Sequence, residues 1–275
     1  MTDSDTSTVL SPGERRSFIL RKLFSLTGVV PIGAFLLIHL WTYSSALAGR
    51  HAFEQSISEG RHLPYWWLLE VLFIWLPLAF HAVYGLMISL EARPNVTRYA
   101  YARNWAYVWQ RLSGLMVLAF IGYHAYQFPL QIALGELERD ELFSKLCGSF
   151  SATTAGGIPL MAAGYLVGLA ATCYHLANGL TSFCFAWGIT TSQRASRRVS
   201  GFAGLLAIVL FALGASSVLY FATGSRLVLA PAPSAGAPPP LGCQDLEKGE
   251  QARSQQPMGA EWAALPPAIE AAVPR

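Results

Sequence analysis

The chain has 275 residues, of which 53% are hydrophobic and 13% charged, and its formal net charge is +3. In soluble domains about a quarter of the residues are charged, so this composition excludes an ordinary soluble class and points to a membrane-embedded one. The charge is divided among loops and forms no basic stripe, which argues against nucleic-acid binding.

Residues 1–22 read as a cytoplasmic amino-terminal segment. The first apolar run starts only after some twenty polar residues and is too long for the core of a secretory signal, so it is expected to remain in the protein.

A membrane span needs roughly 20 mostly apolar residues to cross a hydrocarbon core of about 30 Å. Five stretches qualify, and they define an all-α integral membrane domain over residues 23–224. They run from Leu23 to Leu47, Tyr65 to Leu90, Tyr107 to Leu134, Ile158 to Trp187, and Gly201 to Thr223. Pro31 and Pro77 are expected to bend the first two.

Basic residues alternate from loop to loop. Arg15, Arg16, Arg21 and Lys22 precede the first span, Arg93, Arg98 and Arg103 follow the second, and Arg194, Arg197 and Arg198 follow the fourth. These segments are expected on the cytoplasmic side. The opposite loops are balanced or acidic, with Glu54 and Glu59 offsetting Arg50 and Arg61, and with Glu136, Glu138, Asp140 and Glu141 outweighing Arg139 and Lys145. Trp41, Tyr43, Trp66, Trp67, Trp105 and Tyr107 fall where aromatic belts belong.

Beyond Thr223 the sequence turns to APAPSAGAPPP and a mixed tail, so residues 225–275 read as a disordered exterior extension. The cysteines, Cys147, Cys173, Cys184 and Cys243, match no zinc or heme-attachment spacing, and nothing in them demands a disulfide.

Ionisable residues inside spans are costly and are functional candidates by default. Four of the spans carry one histidine each: His39, His81, His124 and His175. Each lies about sixteen residues into its helix, roughly 24 Å from the surface where that helix starts. Consecutive helices run in opposite directions, so His39 and His124 share the outer half of the membrane while His81 and His175 share the inner half.

Two stacked imidazole pairs suit two heme b groups, each iron held by two neutral imidazoles and therefore confined to electron transfer. Gly28, Gly33, Gly85, Gly114, Gly122, Gly164, Gly168 and Gly179 could make room for a flat macrocycle between helices. Near the inner end, Arg111, Ser25, Arg21 and Arg16 are candidate partners for heme propionates, and Arg111 is preferred because it lies slightly inside its span.

RKLFSLTGVVPIGAFLLIHL (Arg21 to Leu40) and WQRLSGLMVLAFIGYH (Trp109 to His124) resemble the first and third helices of the diheme cytochrome b subunit of succinate dehydrogenases and fumarate reductases. The likeness is to the single-subunit, b558-type anchor of bacilli and related bacteria, and covers roughly residues 15–224. It implies a bacterial cytoplasmic membrane protein bound to a flavoprotein and an iron–sulfur subunit. His81 and His175 would ligate the heme nearer those subunits, and His39 and His124 the outer one. Electrons from succinate would reach a quinone, commonly menaquinone, and this chain would hold no dicarboxylate site. Glu54 and Glu59 in the outer connection, with Glu70 at the outer interface, are candidate quinone-site residues. Cys173 stands where some menaquinol-oxidising members carry a glutamate, which weakens the case for a compensating proton path. His51 and His62 read as interfacial.

Two alternatives remain at this point. Diheme cytochromes of hydrogenases or formate dehydrogenases often place two ligands on one helix, unlike the one-per-helix pattern here. A heme-free transporter or anchor with proton-relaying histidines would be colourless.

Overall fold

A computed structural model describes residues 11–59, 64–224 and 243. Regular structure among the described residues is helical, with no strand. Ser11 starts α1 (Pro12–Val29) with a reciprocal cap: its hydroxyl accepts from the Glu14 N–H, and the Glu14 carboxylate accepts from the Ser11 N–H at 2.9 Å. The Ser11 hydroxyl, donating to the Glu14 carboxylate at 2.8 Å, and the Ser11 N–H together hold the exposed carboxyl below its usual pKa range. Helix therefore begins eleven residues before the expected first span.

Pro31 has no N–H to offer, so α1 stops at Val29 and α2 (Pro31–Ser44) restarts immediately. The Val30 N–H still reaches Leu26 O and the Ala34 N–H reaches Val30 O, so the two helices and the 3-10 turn Ser45–Ala48 form one run. Gly49, at φ 100°, turns the chain into the short α3 (Arg50–Glu59).

The second expected span is α4 (Trp66–Glu70), a π turn (Val71–Trp75) and α5 (Leu76–Leu90). The π turn lies just before Pro77, and the Leu76 N–H reaches five residues back to Val71 O. No residue of α4, the π turn or α5 is buried, and Leu72, Phe73, Leu76, Val83 and Leu90 are exposed. An apolar surface of this kind suits lipid.

The third is α6 (Ala102–Gln127). It ends earlier than the hydropathy suggested, because Pro129 interrupts it and opens a separate short α7 (Pro129–Leu134). A loop and α8 (Leu142–Ser151) lead to α9 (Leu160–Ala186), and α10 (Gln193–Thr223) follows, capped by the Ser192 hydroxyl and closed by Gly224 at φ 71°. Thus α10 starts eight residues before the expected fifth span.

Four runs are long and apolar enough to cross a membrane: Pro12–Ala48, Trp66–Leu90, Leu160–Ala186 and Gln193–Thr223. The 26-residue α6 has the length, but Arg103, Asn104, Gln110, Arg111, His124 and Gln127 lower its apolar content. Helix α9 is central, packing against α10, α6, α1 and α8, while α1 also packs on α5 and α2 lies on α10.

Charge patterning gave no hint of the packed cap at the expected outer end. Phe53 of α3, Phe143 and Phe150 of α8, and Phe221 of α10 bury their rings together, with Phe53 and Phe143 at 0% exposure. The Phe53 and Phe143 centroids are 5.7 Å apart and edge-on, an arrangement favoured by ring quadrupoles. The cap also contains a disulfide, Cys147–Cys243, with Cα atoms 5.5 Å apart, contrary to the sequence expectation that no disulfide is needed. Its partners lie 96 residues apart in no recognisable spacing, and connectivity of that kind is not readable from sequence. Apart from Cys243, the expected exterior tail lies outside the described residues, as do Arg61 and His62.

Candidate functional site

The structure brings the four span histidines together in two pairs. His81 of α5 and His175 of α9 have ring centroids 6.3 Å apart, and His39 of α2 and His124 of α6 have centroids 5.7 Å apart. Both pairs meet nearly edge to face, at 89° and 87°. Each pair joins helices that are distant in sequence, along the pairing expected from alternating helix direction.

The His81–His175 pair, expected on the inner side, is held from both sides. His81 Nδ1 lies 3.0 Å from Phe24 O, and the Phe24 ring stacks on the imidazole at 4.4 Å and 13°. His175 Nδ1 lies 3.1 Å from Gln110 O. A carbonyl can only accept, so in both residues Nδ1 carries the proton and Nε2 keeps its lone pair. A metal-binding imidazole is commonly arranged in this way.

Around His175 there is a polar network that the sequence reading did not single out. Gln110 Nε2 donates to His175 O at 3.2 Å, and Asn178 Nδ2 donates to Gln110 Oε1 at 2.8 Å and to Ala106 O at 3.1 Å. The Ser113 hydroxyl donates to Gln110 O at 3.1 Å and lies 3.2 Å from His175 Nδ1. The signal was present: Gln110 and Asn178 are polar residues in spans, and such groups mark helix-to-helix contacts.

The outer pair has softer surroundings. His124 Nδ1 lies 3.3 Å from the Tyr165 hydroxyl, while His39 sits among the rings of Phe35 and Tyr43, at 5.3 and 4.5 Å.

Two of the glycines named from the sequence face the inner pair directly. A Cβ on Gly28 would overlap the His81 imidazole, and one on Gly114 would lie 3.0 Å from His175 Cε1. These are cradles that a side chain would fill. Gly85 lies against Phe24, Gly33 against Leu176, Gly168 against Phe120 and Gly179 against Gln110, whereas Gly122 and Gly164 face open space. Gly164 and Gly168 therefore do not form a shared packing face within the chain.

The propionate candidates separate clearly. Arg111 lays its guanidinium 3.3 Å from the Tyr107 ring centroid and donates to Tyr107 O, yet its Nε is buried with no partner. Ser25 accepts from Trp187 Nε1 at 3.0 Å and donates to Lys22 O. Lys22 in turn bonds Ala186 O at the end of α9, where carbonyls lack helical partners. Arg16 lines a surface groove with Pro12, Arg15, Ile19 and Leu20, and Arg21 is exposed.

Among the acidic candidates, Glu54 forms a half-exposed ion pair with Arg50 at 2.6 Å, and Glu59 accepts from Gln55 at 2.8 Å. Glu70 is half-buried at the end of α4, one helical turn from Trp66, whose indole N–H is buried without a partner. His51 is exposed on α3, away from both histidine pairs.

This fold and these interior pairs define an all-helical, multi-pass membrane protein organised around half-buried histidines. The family model for the succinate dehydrogenase/fumarate reductase transmembrane subunit matches residues 91–215. The succinate dehydrogenase cytochrome b558 subunit of Bacillus subtilis (strain 168) is 36% identical over 194 residues, covering 70% of this chain and 91% of that relative. No solved structure matches the chain significantly. The chain belongs to the family of transmembrane cytochrome b subunits of succinate dehydrogenase and fumarate reductase, and it is a multi-pass protein of the bacterial cytoplasmic membrane.

Proposed function

We propose that this chain carries two b hemes, one between His81 and His175 and one between His39 and His124, and passes electrons from cytoplasmic flavoprotein and iron–sulfur subunits to menaquinone near the outer face. The observation that carries the reading is the inner pair: two imidazoles on facing helices, each donating its Nδ1–H to a backbone carbonyl and each backed by a glycine. Such donors fit a bis-imidazole iron.

The proposed topology has five crossings with the amino terminus in the cytoplasm. Helix α6 is the fifth despite its lower apolar content, because it packs along α9 and turns its polar residues Gln110 and His124 toward histidines of other helices. A polar group that faces the bundle interior escapes the cost of contact with lipid.

The four imidazoles would hold heme, which would supply a one-electron iron couple and leave no place for oxygen or substrate. The protein's part is to hold and orient. Phe24 O and Gln110 O fix the inner imidazoles, and Tyr165 holds His124. Arg111, with its buried and unpaired Nε, is the first choice to bind an inner propionate, with Ser25, Arg21 and Arg16 behind it.

At the outer side, Glu70 is favoured over Glu54 and Glu59 as the proton-carrying group of the quinone site. Glu54 and Glu59 lie in the charged outer connection, whereas Glu70 is half-buried within an apolar run and shares a helix face with the buried indole donor of Trp66. An electron moved outward across 100 mV, negative inside, releases about 2.3 kcal/mol, which aids reduction of a low-potential quinone.

Purification of the intact complex tests the reading. Succinate should reduce the b-type absorbance, and a menaquinone analogue should reoxidise it. A complex whose partners oxidise formate or hydrogen, and not succinate, would contradict it.

A further inference from the structure

The cap disulfide has no part in the proposed electron path. Cys147 and Cys243 are 6% and 7% exposed, and both belong to the cap cluster that contains Phe143, Phe150, Tyr165 and Phe221. Cys147 lies one helical turn from both Phe143 and Phe150, on the inward face of α8. The Phe150 ring meets Tyr165 edge-on at 4.7 Å, and the Tyr165 hydroxyl touches His124. A short chain of packed groups therefore connects the disulfide to the outer histidine pair. By contrast, Cys173 and Cys184 are buried within α9 and free.

We propose that Cys147 and Cys243 are a permanent cross-link that ties residue 243 to α8 and keeps the outer cap closed over the outer histidines. The bond forms by exchange with a protein disulfide of the exterior compartment. Two thiols lose their hydrogens, one S–S bond forms, and the donor disulfide is reduced to two thiols. Such bonds persist outside the cytoplasm and are rare inside it, so the strap requires α8 and residue 243 to lie on the outer side. That requirement rests on the proposed orientation but not on the hemes.

The full chain in its complex, denatured without reductant and treated with a mass-adding maleimide, should show two labelled thiols, and four after reduction. Trypsin at Arg226 and Lys248 should cut out residues 227–248, and this peptide should stay attached until a reductant is added. Four labelled thiols before reduction, or release without reductant, would overturn the strap. Cys243→Ser should also make amide hydrogen exchange in α8 roughly tenfold faster. Unchanged exchange would overturn its role in holding the cap closed. Retention of the peptide by a chain without b-type absorbance would support the strap while rejecting the heme reading.

Discussion

Gly28 of α1 lies so close to the His81 imidazole that any side chain at that position would overlap the ring. One turn earlier in the same helix, Phe24 stacks on the ring and its carbonyl accepts a hydrogen bond from Nδ1–H. Helix α1 thus aims His81 through three contacts, although His81 itself belongs to α5. Gly28→Val should displace the imidazole and reduce heme content from two per chain to one, the outer heme being kept. The pyridine hemochrome assay measures this directly. Retention of both hemes would show that the close approach is not needed.

Gln110 and Asn178 hold His175 from its own backbone outward, and Gln110 Nε2 also lies 3.4 Å from His175 Nε2. Outer partners of metal-binding histidines typically contribute 10–100-fold to metal affinity. Gln110→Leu should therefore speed loss of the inner heme in detergent by about that range and alter its low-spin paramagnetic resonance signal, while the outer signal stays as it was. Asn178→Leu, which removes the brace on Gln110 and the bond to Ala106 O, should do the same more weakly. An equal effect of both variants on both signals would indicate general loosening of the bundle.

The sequence carried the histidine pairs because depth along a helix and alternating helix direction are one-dimensional facts. The same arithmetic misplaced helix ends wherever local chemistry intervened: Pro129 cut α6 short, and the Ser11 and Ser192 caps started α1 and α10 early. The outer cap was hidden for another reason. Phe53 and Phe143 lie in segments whose charges read as loop, and only their meeting across 90 residues makes them a core. Cys147 and Cys243 were opaque in the same way, since neither flanking sequence marks the other.

Arg111 places a cation in the first half of α6 with its Nε buried and unpaired. A nearby positive charge favours the reduced iron, so Arg111→Gln should lower the midpoint potential of the inner heme by the equivalent of about 1 kcal/mol of interaction energy. Redox titration of the two b-type signals should show the shift in one of them. A shift confined to the outer heme would move the propionate site elsewhere.

Phe53 and Arg50 lie three residues apart in the outer cap but should contribute very different amounts to its stability. Phe53 is fully buried against Phe143, Phe221 and Tyr43, and its replacement by Ala should cost about 3–5 kcal/mol. The Arg50–Glu54 pair is partly solvated, so Glu54→Gln should cost no more than about 1 kcal/mol. Thermal denaturation of the purified complex, followed through heme absorbance, would rank them. If Glu54→Gln abolished quinone reduction at normal stability, Glu54 would replace Glu70 as the acidic group of the quinone site.

The most direct test of the central claim is the heme stoichiometry of the purified chain, measured with His39→Ala and His81→Ala beside it. Two b hemes per chain are expected, each variant losing one, with the heme lost in His39→Ala also lost in His124→Ala and the heme lost in His81→Ala also lost in His175→Ala. A colourless protein, a single heme, or loss following any other pairing of the four histidines would contradict the account.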